Sequence, residues 1–300
     1  MVDLRRIGLY VAFSFGISWT VGLLIYLTGG LATALAGALV PTLYMFGPTM
    51  GNLLTRLVTR EGWNGLYLRF HLKRAWPFWV LAYLGPLLMQ AVGAMVFFVI
   101  FPSFFDPSMS AFQEVVSAIE RQAGVLHPQS ISERVVFAVL VGVIAVYPIF
   151  IIPSIFGEEF GWRAYLLPKL LPLGQRRAVI VTGLIWGVWH WPLIAMGFNY
   201  NFDYPGFPWL GMVLFVWWTV LVGTFLGWMV LRTESVWPAA IGHAMFDATS
   251  WLPYIFVKGD PSKLVGPFSA GIVGSLGIAA GGLFLLWWWP RKPMDEKELA

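Results

Sequence analysis

Cysteine is absent from the 300 residues of this chain. That excludes disulfides, thiolate metal sites and a cysteine nucleophile, and it leaves the compartment open. Charge is nearly as scarce, at 11% of residues, where a soluble domain of this length carries roughly a quarter. So little charge cannot clothe a water-facing surface. Internal repeats and low-complexity linkers are also missing.

What is present is apolar. The chain is 58% hydrophobic, with 17 Trp and 24 Phe. Apolar runs recur at 7–29, 33–55, 76–101, 134–157, 178–198, 207–231, 235–257 and 264–289. Each is near or above the roughly 20 residues that a helix needs to cross a hydrocarbon core. The expected fold is all-α: a polytopic membrane protein of about eight transmembrane helices, forming one integral membrane domain over 1–300. The first run follows Arg5 and Arg6 and is longer than a signal-peptide core, so it reads as a retained span.

The net charge of +4 has a membrane explanation and does not point to nucleic acid. With the N-terminus cytoplasmic, fourteen Lys and Arg residues fall on that side, from Arg5 to Lys297. Arg121, Arg134, Lys258 and Lys263 fall on the other. By the positive-inside rule both termini face the cytoplasm of a cell (inner) membrane. Residues 58–75 form a basic connection with interleaved aromatics, suited to an anionic leaflet. Residues 103–133 form the longest external connection, where Phe112, Val115, Val116 and Ile119 recur at the spacing of an amphipathic helix. Gly277 and Gly281 make a GxxxG packing signal, and Trp287, Trp288 and Trp289 an interfacial anchor.

Ionisable groups inside spans cost about 2.5–3.5 kcal/mol each on insertion scales, so those present are functional candidates. They concentrate in three runs: Glu158, Glu159 and Arg163 in GEEFGWR, His190 in GLIWGVWHWP, and His243 and Asp247 in AAIGHAMFDA. Counted along helices at 1.5 Å per residue, Glu158, His190 and His243 lie roughly 16–20 Å from their nearest basic loops. Three helices therefore bring them to similar depth. Glu159 and Arg163, at i and i+4 with the acid first, are placed for a helical ion pair. Glu158 then points about 100° away. A carboxylate in an apolar setting suits general-base work, and Glu158 is the candidate base. His243 and Asp247 share a helix face, where Asp247 is expected to accept the second imidazole N–H. The Trp residues around His190 read mainly as packing.

This order and spacing resemble the CPBP family of intramembrane proteases, which includes type II CAAX-processing peptidases and bacterial Abi proteins. The motifs are Glu158-Glu159-x-x-x-Arg163, an aromatic-x-x-x-His ending at His190, and His243-x-x-x-Asp247. The resemblance covers 134–256 as a catalytic core, with 1–103 as accessory spans and 264–300 as a final span and cytoplasmic tail. It implies a helical active site opening toward the cytoplasmic side. Water would be activated by Glu158 and His190, with His243 and Asp247 at the oxyanion and Glu159–Arg163 in support. Trp186 stands where the family usually has Phe, and Asp247 where prenyl-processing members have Asn. An ionised Asp cannot donate to an oxyanion, so it must be protonated, act through His243 or bind a metal.

No cofactor is preferred. Glu158, His190 and His243 remain a conceivable zinc triad with a position left for water, although the HExxH spacing is lacking. The expected partners are the bilayer and a membrane-anchored or lipidated protein or peptide, cleaved near the cytoplasmic leaflet. Two rivals stay open: a non-catalytic scaffold or immunity protein on the same fold, and a proton-coupled transporter. The missing repeat symmetry counts against the transporter.

Overall fold

A computed structural model describes residues 2–122 and 138–288. His127, Arg134, Trp289 and the basic residues after it lie outside these, as do the side chains of Val115, Val116 and Ile119. Among the described residues the structure is helical, with a lone antiparallel bridge between Phe105 and Val257. This is an all-α polytopic membrane protein.

Five helical stretches are long and apolar enough to cross a membrane: Leu4–Leu27, Ala75–Ile100, Ala138–Leu173, Gln175–Ala195 and Trp209–Thr233. The remaining three apolar runs are built from shorter pieces. In 33–55, α2 (Ala34–Leu39) passes into a π turn at Val40–Tyr44, and α3 (Gly47–Thr59) starts afresh at Gly47-Pro48. Prolines supply the breaks, since Pro lacks the N–H that would continue a helix. The long helices α1 (Leu4–Leu27) and α4 (Leu72–Ile100) flank this segment in sequence. An amphipathic helix, α5 (Ser110–Gln122), forms in the long connection as its spacing predicts. The helix α6 (Tyr147–Gly161) continues through a π turn at Trp162–Leu166. Then come α7 (Gln175–Trp189) and α8 (Trp209–Thr233). Run 235–257 yields α9 (Trp237–Thr249) and a 3-10 turn, and run 264–289 becomes helical only at α10 (Leu276–Trp288).

The helices alternate in direction, so their connections gather on two faces. On the first, Glu61 receives Arg6 Nε at 3.0 Å and Lys169 Nζ at 3.0 Å, with Arg56 Nη1 at 3.5 Å. The Val236 N–H donates to Tyr67 O at 2.8 Å, tying the 60–71 loop to the α8–α9 turn. On the second face Asp106 N–H donates to Phe256 O at 2.8 Å, Tyr200 Oη to Ala270 O at 2.8 Å, and Lys263 Nζ to Asn201 Oδ1 at 3.0 Å. Among the described residues, every Lys and Arg except Arg121, Arg163, Lys258 and Lys263 lies at or near the first face. We call it the basic face.

Close packing of α3 on α6 fixes the acidic motif. A Cβ on Gly161 would lie 2.4 Å from Pro48 Cβ and 2.5 Å from its backbone, and one on Gly157 would lie 2.9 Å from Phe46. With both side chains missing, the helices approach until Thr49 Oγ1 donates to Gly157 O at 2.7 Å and Asn52 Nδ2 to Phe160 O at 2.9 Å. Gly277 and Gly281 likewise face Met89 of α4.

Candidate active site

The two adjacent glutamates point into different surroundings. Glu159 and Arg163 are fully buried, and Arg163 Nη1 donates to Glu159 Oε1 at 2.7 Å. The guanidinium also lies over the Trp186 ring, 4.1 Å from its centroid. That contact supplies a partner for a cation that lipid would not tolerate. Glu158 turns the other way, as the helical spacing predicts. Its Oε2 accepts from Trp186 Nε1 at 2.7 Å, and Glu158 lines a cavity of about 290 Å3.

The end of α7 presents His190 to the same cavity. Pro192 offers no N–H, so the helix closes with i to i+3 hydrogen bonds: His190 N–H to Gly187 O at 3.2 Å and Leu193 N–H to His190 O at 3.0 Å. Carbonyls freed by this tightening are taken by side chains. His190 Nδ1 lies 2.9 Å from Trp186 O. A carbonyl only accepts, so Nδ1 carries a proton there and Nε2 is left for the cavity. Trp189 O accepts from Tyr44 Oη at 2.7 Å and Trp19 Nε1 at 3.0 Å.

His243 reaches the site from α9. Its Nδ1 lies 2.8 Å from Glu159 Oε1. Asp247 Oδ2 lies 3.8 Å from Nε2, close enough for electrostatic attraction and too far for a hydrogen bond. The orienting carboxylate is therefore Glu159, which corrects the expectation that Asp247 holds the imidazole. The reason is packing: α6 lies against α9 and puts Glu159 beside Nδ1, while Asp247 stays 41% exposed in the cavity wall. Trp186 joins the group together, with its ring 5.0 Å from His243 and 5.8 Å from His190, centroid to centroid.

A protein-family model described as type II CAAX prenyl endopeptidase, Rce1-like, matches residues 139–249. The match spans Glu158, Glu159, Arg163, His190, His243 and Asp247. Residues 139–249 are thus similar to the CPBP-family protease domain. A curated relative, CAAX prenyl protease 2 of Methanococcus maripaludis, is 31% identical over 94 residues, covering 30% of this chain. The chain spans about a third (34%) of that relative's length.

The cavity is lined from within the matched residues and from outside them, Tyr44, Ser250 and Phe268 included. Glu158, Trp186 and His243 are buried in its wall, and Asn199, Ser250, Phe268 and Ser269 reach it from the connections of the second face.

Among the described residues, no three His, Asp or Glu side chains are grouped to hold a metal, and Glu158, His190 and His243 are not such a group. One donor atom of each is already engaged, by Trp186 Nε1, Trp186 O and Glu159. Each also keeps one donor atom free, the second Glu158 oxygen and Nε2 of both imidazoles, and the Nδ1 contacts are of the kind a metal-bound imidazole makes to its surroundings.

Sequence reasoning underrated Trp186 and missed Tyr44, Thr49 and Asn52. Trp186 does stand four residues before His190, the aromatic place of the second motif. Among so many tryptophans it reads as packing, whereas its indole N–H and carbonyl each hold a site residue. Thr49 and Asn52 are polar residues inside an apolar run, and that was the available signal.

Proposed function

We propose that the CPBP-like domain is an intramembrane endopeptidase that hydrolyses a peptide bond in a membrane-associated or lipidated protein. The observation that carries this is the convergence of Glu158, His190 and His243 on one cavity around Trp186. One Glu158 oxygen is occupied by the indole N–H, so the other accepts a proton from water, with His190 Nε2 accepting from the same water. The hydroxide oxygen bonds to the carbonyl carbon. His243, oriented by Glu159 and protonated at both ring nitrogens, donates from Nε2 to the developing oxyanion. Collapse breaks the C–N bond, and the proton held by Glu158 passes to the leaving amine. Asp247 at 3.8 Å supports that imidazolium. It acts through His243 and not as a donor.

The test is hydrolysis of a membrane-anchored peptide substrate by purified wild type, Glu158→Gln and His190→Gln. Both variants should remain folded and lose turnover, because each keeps its shape and loses the acceptor. Equal rates in wild type and Glu158→Gln would replace this reading with a scaffold that binds without turnover. A scissile substrate captured intact by Glu158→Gln would identify the partner.

A further inference from the structure

We infer that Tyr44 and Trp19, both outside the matched residues 139–249, are positioning residues for His190. These two N-terminal side chains hold the peptide group from which the imidazole hangs. Their part in turnover rests on the peptidase reading of the cavity, whereas their hold on His190 does not.

In a regular α-helix the Trp189 carbonyl would accept from the N–H of Leu193, four residues on. Here Leu193 N–H donates to His190 O at 3.0 Å instead. The Trp189 carbonyl takes its donors from elsewhere in the chain: Tyr44 Oη at 2.7 Å from the π turn, and Trp19 Nε1 at 3.0 Å from α1. The other end of the same peptide group is also held, since His190 N–H donates to Gly187 O at 3.2 Å. A planar group gripped at both ends keeps one orientation. The Nδ1 contact with Trp186 O, at 2.9 Å, then fixes the ring. Nε2 is left with one direction to face.

The clamp is itself held by its surroundings. Tyr44 is fully buried, and its own carbonyl accepts from Ser18 Oγ at 2.7 Å, so the neighbour of Trp19 fixes Tyr44. The Tyr44 ring lies 4.6 Å from that of Trp189, centroid to centroid. Gly22 of α1 permits the approach: a Cβ there would lie 3.3 Å from the Tyr44 ring and 3.5 Å from Pro192. Tyr44 lines the cavity beside Glu158 and His190. Its hydroxyl proton is committed to Trp189 O, so it acts through His190 and donates nothing to a substrate. Without both donors the Trp189 carbonyl is a buried acceptor lacking a partner. The N–H that helix geometry then offers it is that of Leu193. Taking it would return the end of α7 to α geometry and swing the His190 peptide.

Tyr44→Phe and Trp19→Phe each keep a ring and remove a donor. Either single variant leaves the carbonyl one donor and should lose only a few-fold in kcat on a membrane-anchored peptide. The double variant should lose roughly 100-fold in kcat, the scale of a 1 Å misplacement, with KM within about twofold. A second readout needs no turnover. Full-length protein carrying nitrogen-15 histidine is compared by solid-state NMR, and the His190 signals are those lost in His190→Gln. Wild type should show His190 as a single Nδ1–H tautomer, and the double variant a mixture. An unchanged tautomer in the double variant overturns the clamp whatever the kinetics show. A mixture with wild-type kcat, or with the loss placed in KM, overturns the positioning role. A mixture in a protein without any Glu158-dependent hydrolysis keeps the hold on His190 and overturns its part in turnover. If the double variant folds poorly, the single variants carry both readouts, and wild-type values in both singles overturn the proposal.

Discussion

Glu159 serves two partners, Arg163 and His243, through the same oxygen. Its neighbour Glu158 serves one, Trp186. Their substitutions should therefore separate. Glu159→Gln leaves a buried guanidinium without its counter-charge, a loss of about 3–5 kcal/mol. We expect a large fall in folded yield and in thermal midpoint in detergent, and an unchanged midpoint would show that Arg163 is held by other means. Asp247→Asn should lie within about 0.5 kcal/mol of wild type in stability, because the side chain is partly exposed and lacks a hydrogen bond to His243. Trp186→Phe keeps a ring but removes the indole N–H from Glu158. An unpartnered buried acceptor costs about 1–3 kcal/mol, which read as a rate is about 5- to 150-fold. Steady-state kinetics should place that loss in kcat. A variant as fast as wild type would return Trp186 to packing.

Among the elements, the contact of α3 with α6 is the one that a single methyl group can test. Gly161→Ala drives a Cβ into the backbone of Pro48 and should cost about 1–3 kcal/mol by overpacking. Gly8→Ala in α1 meets nothing within 4 Å and should be neutral or up to about 1 kcal/mol stabilising, as helix propensity dictates. Equal midpoints for the two variants would contradict the close approach. The helices that carry Glu158, His190 and His243 were readable in sequence because charge is costly in lipid and stands out there. Which carboxylate orients His243 was not readable. That depends on how α6 lies against α9, and helical periodicity describes each helix alone. For the same reason the i, i+4 rule paired Glu159 correctly with Arg163 and was silent about its second partner.

At the scale of the molecule, composition alone dictated a helical membrane protein. Among the described residues five of the eight apolar runs form helices long enough to cross, and prolines interrupt 33–55. The sequence also led us to expect Glu158, His190 and His243 at similar depth, and the three line one cavity. Prolonged chelation should leave hydrolysis intact, and elemental analysis of purified protein should find zinc well below one per chain. Activity lost with the metal and restored by it would make zinc the activator and displace the water-activation scheme.

The π turn at Trp162–Leu166 bears on how this chain can change length. Such a turn is an α-helix carrying one surplus residue. Deleting one residue from Ala164–Leu166 should let the helix run on as regular α and leave Glu158, Glu159 and Arg163 in register with α3. Because the wider turn already absorbs that residue, what lies beyond should keep nearly the same rotation and depth, with Lys169 still at Glu61. The turn acts as a clutch between the reactive half of the helix and its anchor at the basic face. A residue can be gained or lost inside a membrane helix here, a place where gaps are normally forbidden, with both the chemistry and the anchor kept in place.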